Sequence, residues 1–208
     1  MYRKFGKRIL DIFAAAAALL ALSPILLIVA ALTLAKLGAP VLFTQQRPGR
    51  HAKIFRLYKF RSMSNKKDAT GALLPDSLRL TPFGRTLRAT SLDELPSLLN
   101  ILKGDMSVVG PRPLLVQYLP YYTAEESRRH DVRPGVTGLA QINGRNTLDW
   151  TSRLNFDIQY VDNLSLWLDI KIIAKTVLKV FRRADIVVRD ESDMQDLNIE
   201  RSEKNEIN

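Results

Sequence analysis

Cysteine is absent from the chain, which excludes a disulfide framework, a thiolate metal site and a cysteine nucleophile. That usage fits a reducing compartment. Histidine is scarce: His51 and His130 are the only two, too few for a multi-histidine metal site. A metal here would be a hard ion on carboxylate oxygens, such as magnesium. Negative charge is missing over a long stretch, with no acidic residue between Asp11 and Asp68. There is no Walker A loop, no Gly-x-Gly-x-x-Gly, no Gly-x-Ser-x-Gly and no internal repeat. The commonest nucleotide-cradling and serine-nucleophile signatures are thereby excluded.

What is present is a strongly basic body. The 208 residues carry a net charge of +10 and suffice for one domain with a real core. Residues 184 to 208 hold eight acidic and three basic side chains, a net of −5, so the first 183 residues carry +15. Such a body suits a polyanionic partner: nucleic acid, an anionic membrane surface or phosphorylated substrates.

One long apolar run stands out. Ile12 to Ala35 is 24 residues without a charged side chain, about 36 Å as a straight helix and enough for a bilayer core. The run is too long for a cleaved signal peptide, and no small-residue cleavage site follows it. Ser23-Pro24 lies at its middle, where proline kinks or breaks a helix. Arg3, Lys4, Lys7 and Arg8 precede the run; Lys36, Arg47, Arg50 and six more basic residues up to Lys67 follow it. The positive-inside tendency holds both flanks on the cytoplasmic face. These features predict a re-entrant membrane helix over residues 1–36, broken at Ser23-Pro24. A catalytic domain at the cytosolic face is expected over 37–185. Residues 186–208, polar and acidic with few apolar anchors, read as a mobile tail.

The fold class expected for the body is α+β, mostly helical, with a small β-hairpin and surface amphipathic helices. Residues 41–46 and 53–60 read as two strands joined by the turn Arg47-Pro48-Gly49-Arg50. Thr81-Pro82 opens a short helix that ends near Arg88. Thr123 to Glu126 forms a capping box for another, ending near His130. Helices follow from about Leu148 to Asp162 and after Ser165. The last has Trp167, Ile170, Ile173, Ala174, Val177, Val180 and Phe181 among Lys171, Lys175, Lys179, Arg182 and Arg183. It is an amphipathic basic helix, suited to a membrane surface or to core packing.

The chemistry centres on Arg88 to Pro113. Asp93 and Glu94 are adjacent carboxylates at the start of an expected helix whose Leu95, Leu98, Leu99 and Leu102 are spaced for one face. Gly104 reads as its stop. Ser91 and Glu94 match a capping box in letters, but Pro96 would then fall fifth in the helix and delete a needed hydrogen bond. Capping alone therefore does not account for the pair, and structural and functional roles both remain open at this level. Gly110-Pro111-Arg112-Pro113 is a rigid turn presenting an arginine. Further on, Arg133 to Asn146 holds three glycines, one proline and two arginines. This stretch reads either as a loop whose backbone N–H groups and arginines hold phosphate or as an ordinary connection.

Nine motifs in order carry a resemblance to a known family. They are Lys7-Arg8-Ile-Leu-Asp11, Ser23-Pro24, Phe43-Thr-Gln-Gln-Arg47-Pro-Gly49, Tyr58-Lys-Phe-Arg-Ser-Met63 and Ser91-Leu-Asp-Glu-Leu-Pro96. Gly104-Asp-Met-Ser107, Gly110-Pro-Arg-Pro113, Arg133-Pro-Gly-Val-Thr-Gly138 and Leu168-Asp-Ile-Lys171 complete the set. Over residues 1–185 the chain resembles the bacterial sugar transferases, the small monotopic phosphoglycosyl transferases. It is most similar to the short form that starts bacterial protein N-glycosylation. The resemblance implies transfer of a sugar 1-phosphate from a UDP-sugar to polyprenol (undecaprenyl) phosphate with release of UMP, at the cytoplasmic face of the bacterial inner membrane. It implies Asp93 as the nucleophile of a covalent phosphosugar intermediate, and Asp93 and Glu94 beside a magnesium ion. Attack by a carboxylate on a diphosphate needs charge neutralisation, for which Arg88, Arg112 and Arg145 are the available candidates; Lys59, Asn146 and Asp157 are further expected substrate-binding residues, and Ser23 and Pro24 the membrane break. UDP-N,N'-diacetylbacillosamine is the suggested donor, with UDP-GlcNAc, UDP-GalNAc and UDP-galactose as alternatives. A second reading, a membrane-tethered nucleic-acid-binding or scaffold protein, fits the basic charge but shows no base-stacking motif. It leaves Asp93 and Glu94 without purpose, and no nucleic acid is expected as a partner.

Overall fold

The computed structural model describes residues 1–144, 148–182 and 196–206. The chain enters through a π-helical turn at Tyr2–Gly6, then α1 (Lys7–Ala21) and α2 (Ser23–Leu37). Among the described residues no single helix is long and apolar enough to cross a membrane; α1 and α2 pass that test only together, and they meet at 64°. The chemistry of the bend is local. Pro24 has no N–H to give to the Leu20 carbonyl four residues back. The Ser23 hydroxyl donates to that carbonyl instead, at 2.8 Å, so the bend leaves no orphaned acceptor there.

Both arms return to the same body. At the start of α1, Lys7 Nζ lies 2.7 Å from Asp169, which also accepts hydrogen bonds from Tyr2 and from Tyr160, the latter at 2.8 Å. Asp11 accepts from the Val108 amide at 3.0 Å. Arg8 donates to the Ile101 carbonyl at 2.6 Å and to Leu102 at 3.1 Å. At the far end, the buried Arg61 guanidinium donates to the carbonyls of Leu37, Gly38 and Ala39, completing the C-terminus of α2. Between these anchors the arms leave large side chains uncovered, among them Phe13 (71% exposed), Leu20 (79%) and Leu27 (72%).

The expected hairpin forms as β1 (Leu42–Pro48) and β2 (Ile54–Phe60), antiparallel, in register from Leu42 opposite Phe60 to Pro48 opposite Ile54. A short α3 (Asp76–Arg79) and α4 (Pro82–Ala89) follow, with the Thr81 hydroxyl capping α4 at Gly84 N as expected. A 3₁₀ segment, Leu92–Ser97, then runs into α5 (Leu98–Lys103) and β3 (Ser107–Val109). A second 3₁₀ segment (Val116–Tyr121), α6 (Ala124–Ser127), a third 3₁₀ segment (Arg128–Asp131) and β4 (Gly135–Thr137) come next. The chain closes with α7 (Leu139–Asn143), α8 (Trp150–Asn163), α9 (Leu166–Arg182) and α10 (Leu197–Glu206). β3 and β4 pair in parallel. The architecture is thus mostly helical α+β with two two-stranded sheets. Its core is divided among α1, β2, α5 and the turn after it (Ala15, Phe55, Leu57, Ile101, Met106), among α2, β2 and α4 (Val29, Phe60, Leu87), among β3, α7, α8 and α9 (Val109, Ile142, Tyr160, Ile172), and around Trp150 and Leu154.

Several expectations need correction. The leucine face assigned to α5 is not its buried face: Leu99 and Leu102 are 41% and 36% exposed, whereas Asn100 and Ile101 are fully buried. The 3₁₀ start rotates the helix away from the phase that an unbroken α-helix would give. Asn100 spends all its polar capacity on the hairpin and the following turn, donating to Arg56 O and Asp105 and accepting from Tyr58 N. On α9, where the sequence admits both a membrane surface and core packing, the stripe points outward: Trp167 is 74% exposed and Val177 47%, while the buried face carries Asp169 and Ile172. Of the stretch read as a tail, residues 186–195 lie outside the described residues, while α10 is anchored on the body. Leu197 is fully buried beside Leu114, Tyr118, Trp150 and Leu154, and Arg201 forms an ion pair with Glu126 at 2.5 Å.

Candidate active site

Ser91 takes the left-handed conformation (φ 56°, ψ 17°) and makes no side-chain cap, so the apparent capping box is not used. The reversal at Ser91 swings Asp93 and Glu94 beneath β2 at the end of α4, and Pro96 is accommodated in the 3₁₀ turn. The Ser97 hydroxyl donates to Glu94 O at 2.6 Å and fixes the turn from behind. Two neighbouring carboxylates are thereby placed in one basic setting drawn from three other elements.

The two acids are held in opposite ways. Glu94 Oε1 receives Lys59 Nζ at 2.8 Å and Arg112 Nη2 at 2.6 Å, and its Oε2 receives Arg112 Nη1 at 3.3 Å. Burial pushes its carboxyl up, but Arg112 and Lys59 overcome this and hold it well below the usual carboxylate range. Asp93 is only 7% exposed. Among the described residues its side chain takes part in no hydrogen bond and no ion pair. Burial, and then the charge of Glu94, push it up to about 6, against the pull of Lys59, Arg112 and Arg88. Desolvation disfavours the charged form of an acid that nothing directly ligates. The pair thus divides into one anchored, permanently ionised acid and one exposed to its own charge cost, the division expected where two carboxylates have two roles.

Of the residues singled out in the sequence, Asp93, Glu94, Lys59, Arg88 and Arg112 are brought together. Arg88 is steadied by Ser62, its Nε donating to Ser62 Oγ at 3.1 Å. Asp157 is not at this surface. It is buried against Arg129, accepting from Nε at 3.0 Å and Nη2 at 2.7 Å, so a direct substrate contact does not follow from its position. Arg129 in turn donates to the Arg112 carbonyl at 2.7 Å, which makes Asp157 a support two links behind the guanidinium. Arg145 and Asn146 lie outside the described residues. Gly135 in the Arg133–Asn146 stretch serves close packing against Gly110. A Cβ on Gly110 would meet Arg133 O at 2.4 Å, and one on Gly135 would meet Gly110 N at 2.1 Å. Gly110 N–H is spent on Thr137 O and Gly135 N–H on Pro111 O, both at 2.9 Å. These glycines let β3 and β4 approach closely, and that approach fixes the base of the Arg112 turn. Arg129 was missed in the sequence because one more arginine in a basic chain carries no local signal.

Among the described residues no group of three or more His, Cys, Asp or Glu side chains gathers, so a metal cage built from protein alone is not present there. The two carboxylates that a magnesium ion would meet are Asp93, with no partner among the described residues, and Glu94, whose oxygens already receive Lys59 and Arg112. Magnesium is commonly held by one or two carboxylates together with phosphates and water, so such a pair would suffice only with those further ligands supplied from outside the chain.

A family model described as bacterial sugar transferase matches residues 2–183. An uncharacterized sugar transferase, EpsL, of Bacillus subtilis is 55% identical over 174 residues, covering 84% of this chain and 86% of the relative. An undecaprenyl-phosphate galactose phosphotransferase of Salmonella typhimurium is 41% identical over 197 residues, covering 86% of this chain but only 41% of the longer relative. A UDP-glucose:undecaprenyl-phosphate glucose-1-phosphate transferase of Caulobacter vibrioides is 41% identical over 181 residues, 82% of this chain and 68% of the relative.

Proposed function

The chain belongs to the bacterial sugar transferase family, and on that premise we propose that it is a phosphoglycosyl transferase moving a sugar 1-phosphate from a UDP-sugar to polyprenyl phosphate. The observation that carries the reading is the division of the carboxylate pair: Glu94 is clamped by Lys59 and Arg112, while Asp93 is buried with no hydrogen-bonding partner among the described residues. An Asp93 carboxylate oxygen attacks the sugar-bearing phosphorus. The bond from that phosphorus to the bridging oxygen breaks, and UMP leaves with the electron pair, giving an aspartyl phosphosugar. An oxygen of the lipid phosphate then attacks the same phosphorus and releases the Asp93 carboxylate. Lys59, Arg88 and Arg112 offset the charge of two anions meeting. Asp93 and Glu94 are the residues that would hold magnesium, which when bound neutralises the diphosphate.

The relatives' names favour a UDP-hexose such as UDP-galactose or UDP-glucose over the diacetylated donor suggested by the resemblance, and exopolysaccharide assembly over protein glycosylation. A monotopic placement at the cytoplasmic face of the inner membrane is part of the same reading. It is supported by the 64° bend, the basic flanks, the return of both arms to one body and the apolar stripe of α9. The alternative, a tethered nucleic-acid-binding scaffold, leaves the Asp93–Glu94 division without a use.

The test is a lipid-free reaction. With UDP-sugar and magnesium alone, wild-type protein should release UMP and gain one phosphosugar mass on the peptide holding Asp93, and Asp93→Asn should do neither. Glu94→Gln should be impaired through positioning, not by loss of the attacking atom. Absence of both signals with a UDP-sugar that supports full turnover would mean direct transfer through a ternary complex and would end the covalent role.

A further inference from the structure

Helix α10 lies beyond residues 2–183, the span matched by the family model, and nothing in the chemistry above uses it. It is nevertheless docked on the segment that directly follows the Arg112 turn. Leu197 is fully buried in a cluster with Leu114, two residues from Arg112, and with Tyr118 and Trp150. Tyr118 Oη donates to Asp196 at 2.6 Å. Arg201 grips both carboxylate oxygens of Glu126, at 2.6 and 2.5 Å, and also donates to the Tyr121 carbonyl.

A polar route continues inward. Arg129 donates to Tyr122 Oη at 3.3 Å, and the same guanidinium, locked on the buried Asp157, donates to the Arg112 carbonyl. An apolar route (Leu197 to Leu114) and a polar one (Arg201 on the Tyr121 carbonyl, then its neighbour Tyr122 to Arg129) therefore converge on the backbone around Arg112. The segment between them, Val116–Tyr121, meets α10 through Tyr118 and the Tyr121 carbonyl; it is a 3₁₀ turn, a poorly bonded element that takes its shape from what packs on it.

We infer that α10 is a positioning element for the reaction, seating the turn that aims the Arg112 guanidinium at Glu94 and at the phosphate beside it. The activity readout rests on the phosphoglycosyl-transfer reading; the exchange readout below does not. The experiment uses the full chain carrying Arg201→Gln or Leu197→Asp, each alone and each combined with Arg112→Lys. UMP release with UDP-sugar and polyprenyl phosphate is measured together with hydrogen exchange at the amides of residues 112–122. Each α10 variant should lower kcat by about tenfold with a smaller effect on KM, and should add little once Arg112→Lys is present, because coupled residues are not additive. Protection at 112–122 should fall while the β1–β2 hairpin keeps its own. Activity within about twofold of wild type while exchange reports an undocked helix, or losses that multiply independently of Arg112→Lys, would overturn the inference. Where Leu197→Asp also loses hairpin protection, Arg201→Gln decides by the same comparison. Where wild-type protein releases no UMP from any UDP-sugar, the functional reading fails. Unchanged protection at 112–122 in Leu197→Asp then still overturns the inference, and lost protection there sustains the seating.

Discussion

Replacing Asp93 by asparagine should make the protein more stable while it destroys activity, and the gain should depend on pH in a defined way. Asp93 titrates at about 6 in the folded protein against an ordinary 3.8. At about 1.4 kcal/mol per pH unit, ionising this buried carboxyl costs the fold about 3 kcal/mol. Below 3.8 the group is protonated in folded and unfolded chains alike, and no cost arises. Between 3.8 and about 6 the folded chain binds more proton than the unfolded one, so stability falls as pH rises. Above about 6 the cost is complete. Asparagine keeps the shape and removes the charge. Asp93→Asn should therefore match wild type near pH 4 and exceed it at pH 8 by up to about 3 kcal/mol. For a chain of this size that corresponds to roughly 6–12 °C in Tm. The assay is thermal unfolding of both proteins in detergent, without substrate and with a chelator, at half-unit steps from pH 4 to 8. The same group should give UMP release an acid limb near pH 6, since only the carboxylate attacks. An Asn variant no more stable than wild type at pH 8, or a gain that does not fade toward pH 4, would refute the charge cost at Asp93.

Arg112→Lys should lower UMP release at least about tenfold, because it keeps the charge but loses one arm of the two-point contact with Glu94; near wild-type rates would show that the planar fork is not needed. Single cysteines at Tyr2 and Ala39 should both resist a membrane-impermeant thiol reagent in intact cells, and labelling of one alone would establish a full span. Replacing Ser23 and Pro24 with leucine should straighten the arm and expose the Tyr2 label.

The elements legible in the sequence are those decided within a few residues. Ser23-Pro24 marks the bend, Thr81-Pro82 and the Thr123–Glu126 box start their helices, and Gly104 ends α5 at φ 94°. The hairpin was readable from its two β-rich runs, but its turn lies later than the expected Arg47–Arg50: Arg47 and Pro48 are paired in β1 and the chain reverses over residues 49–53. The carboxylate pair was legible as a problem, since Pro96 rules out the ordinary cap. Its division was not, because Lys59 and Arg112 reach Glu94 from 35 and 18 residues away. Long-range partners also decided the uses of Asn100, of Asp157, and of Gly110 with Gly135. The same holds for Leu197, one leucine in an acidic stretch that becomes fully buried only when the Trp150 cluster is in place. The outward stripe of α9 has the periodicity of a core face, and periodicity does not say which side faces the protein.

Arg61 gives the molecule a load path. Its guanidinium takes the last carbonyls of the apolar arm. Its neighbour in sequence, Ser62, takes Arg88, and Arg88 is among the charges that set the acidity of Asp93. An outward pull on the end of α2 is therefore borne first by one planar side chain. It reaches the surroundings of Asp93 through the Arg61–Ser62 backbone and one hydrogen bond. The end of the bent arm and the carboxylate pair therefore share one short chain of contacts, running through Arg61, Ser62 and Arg88.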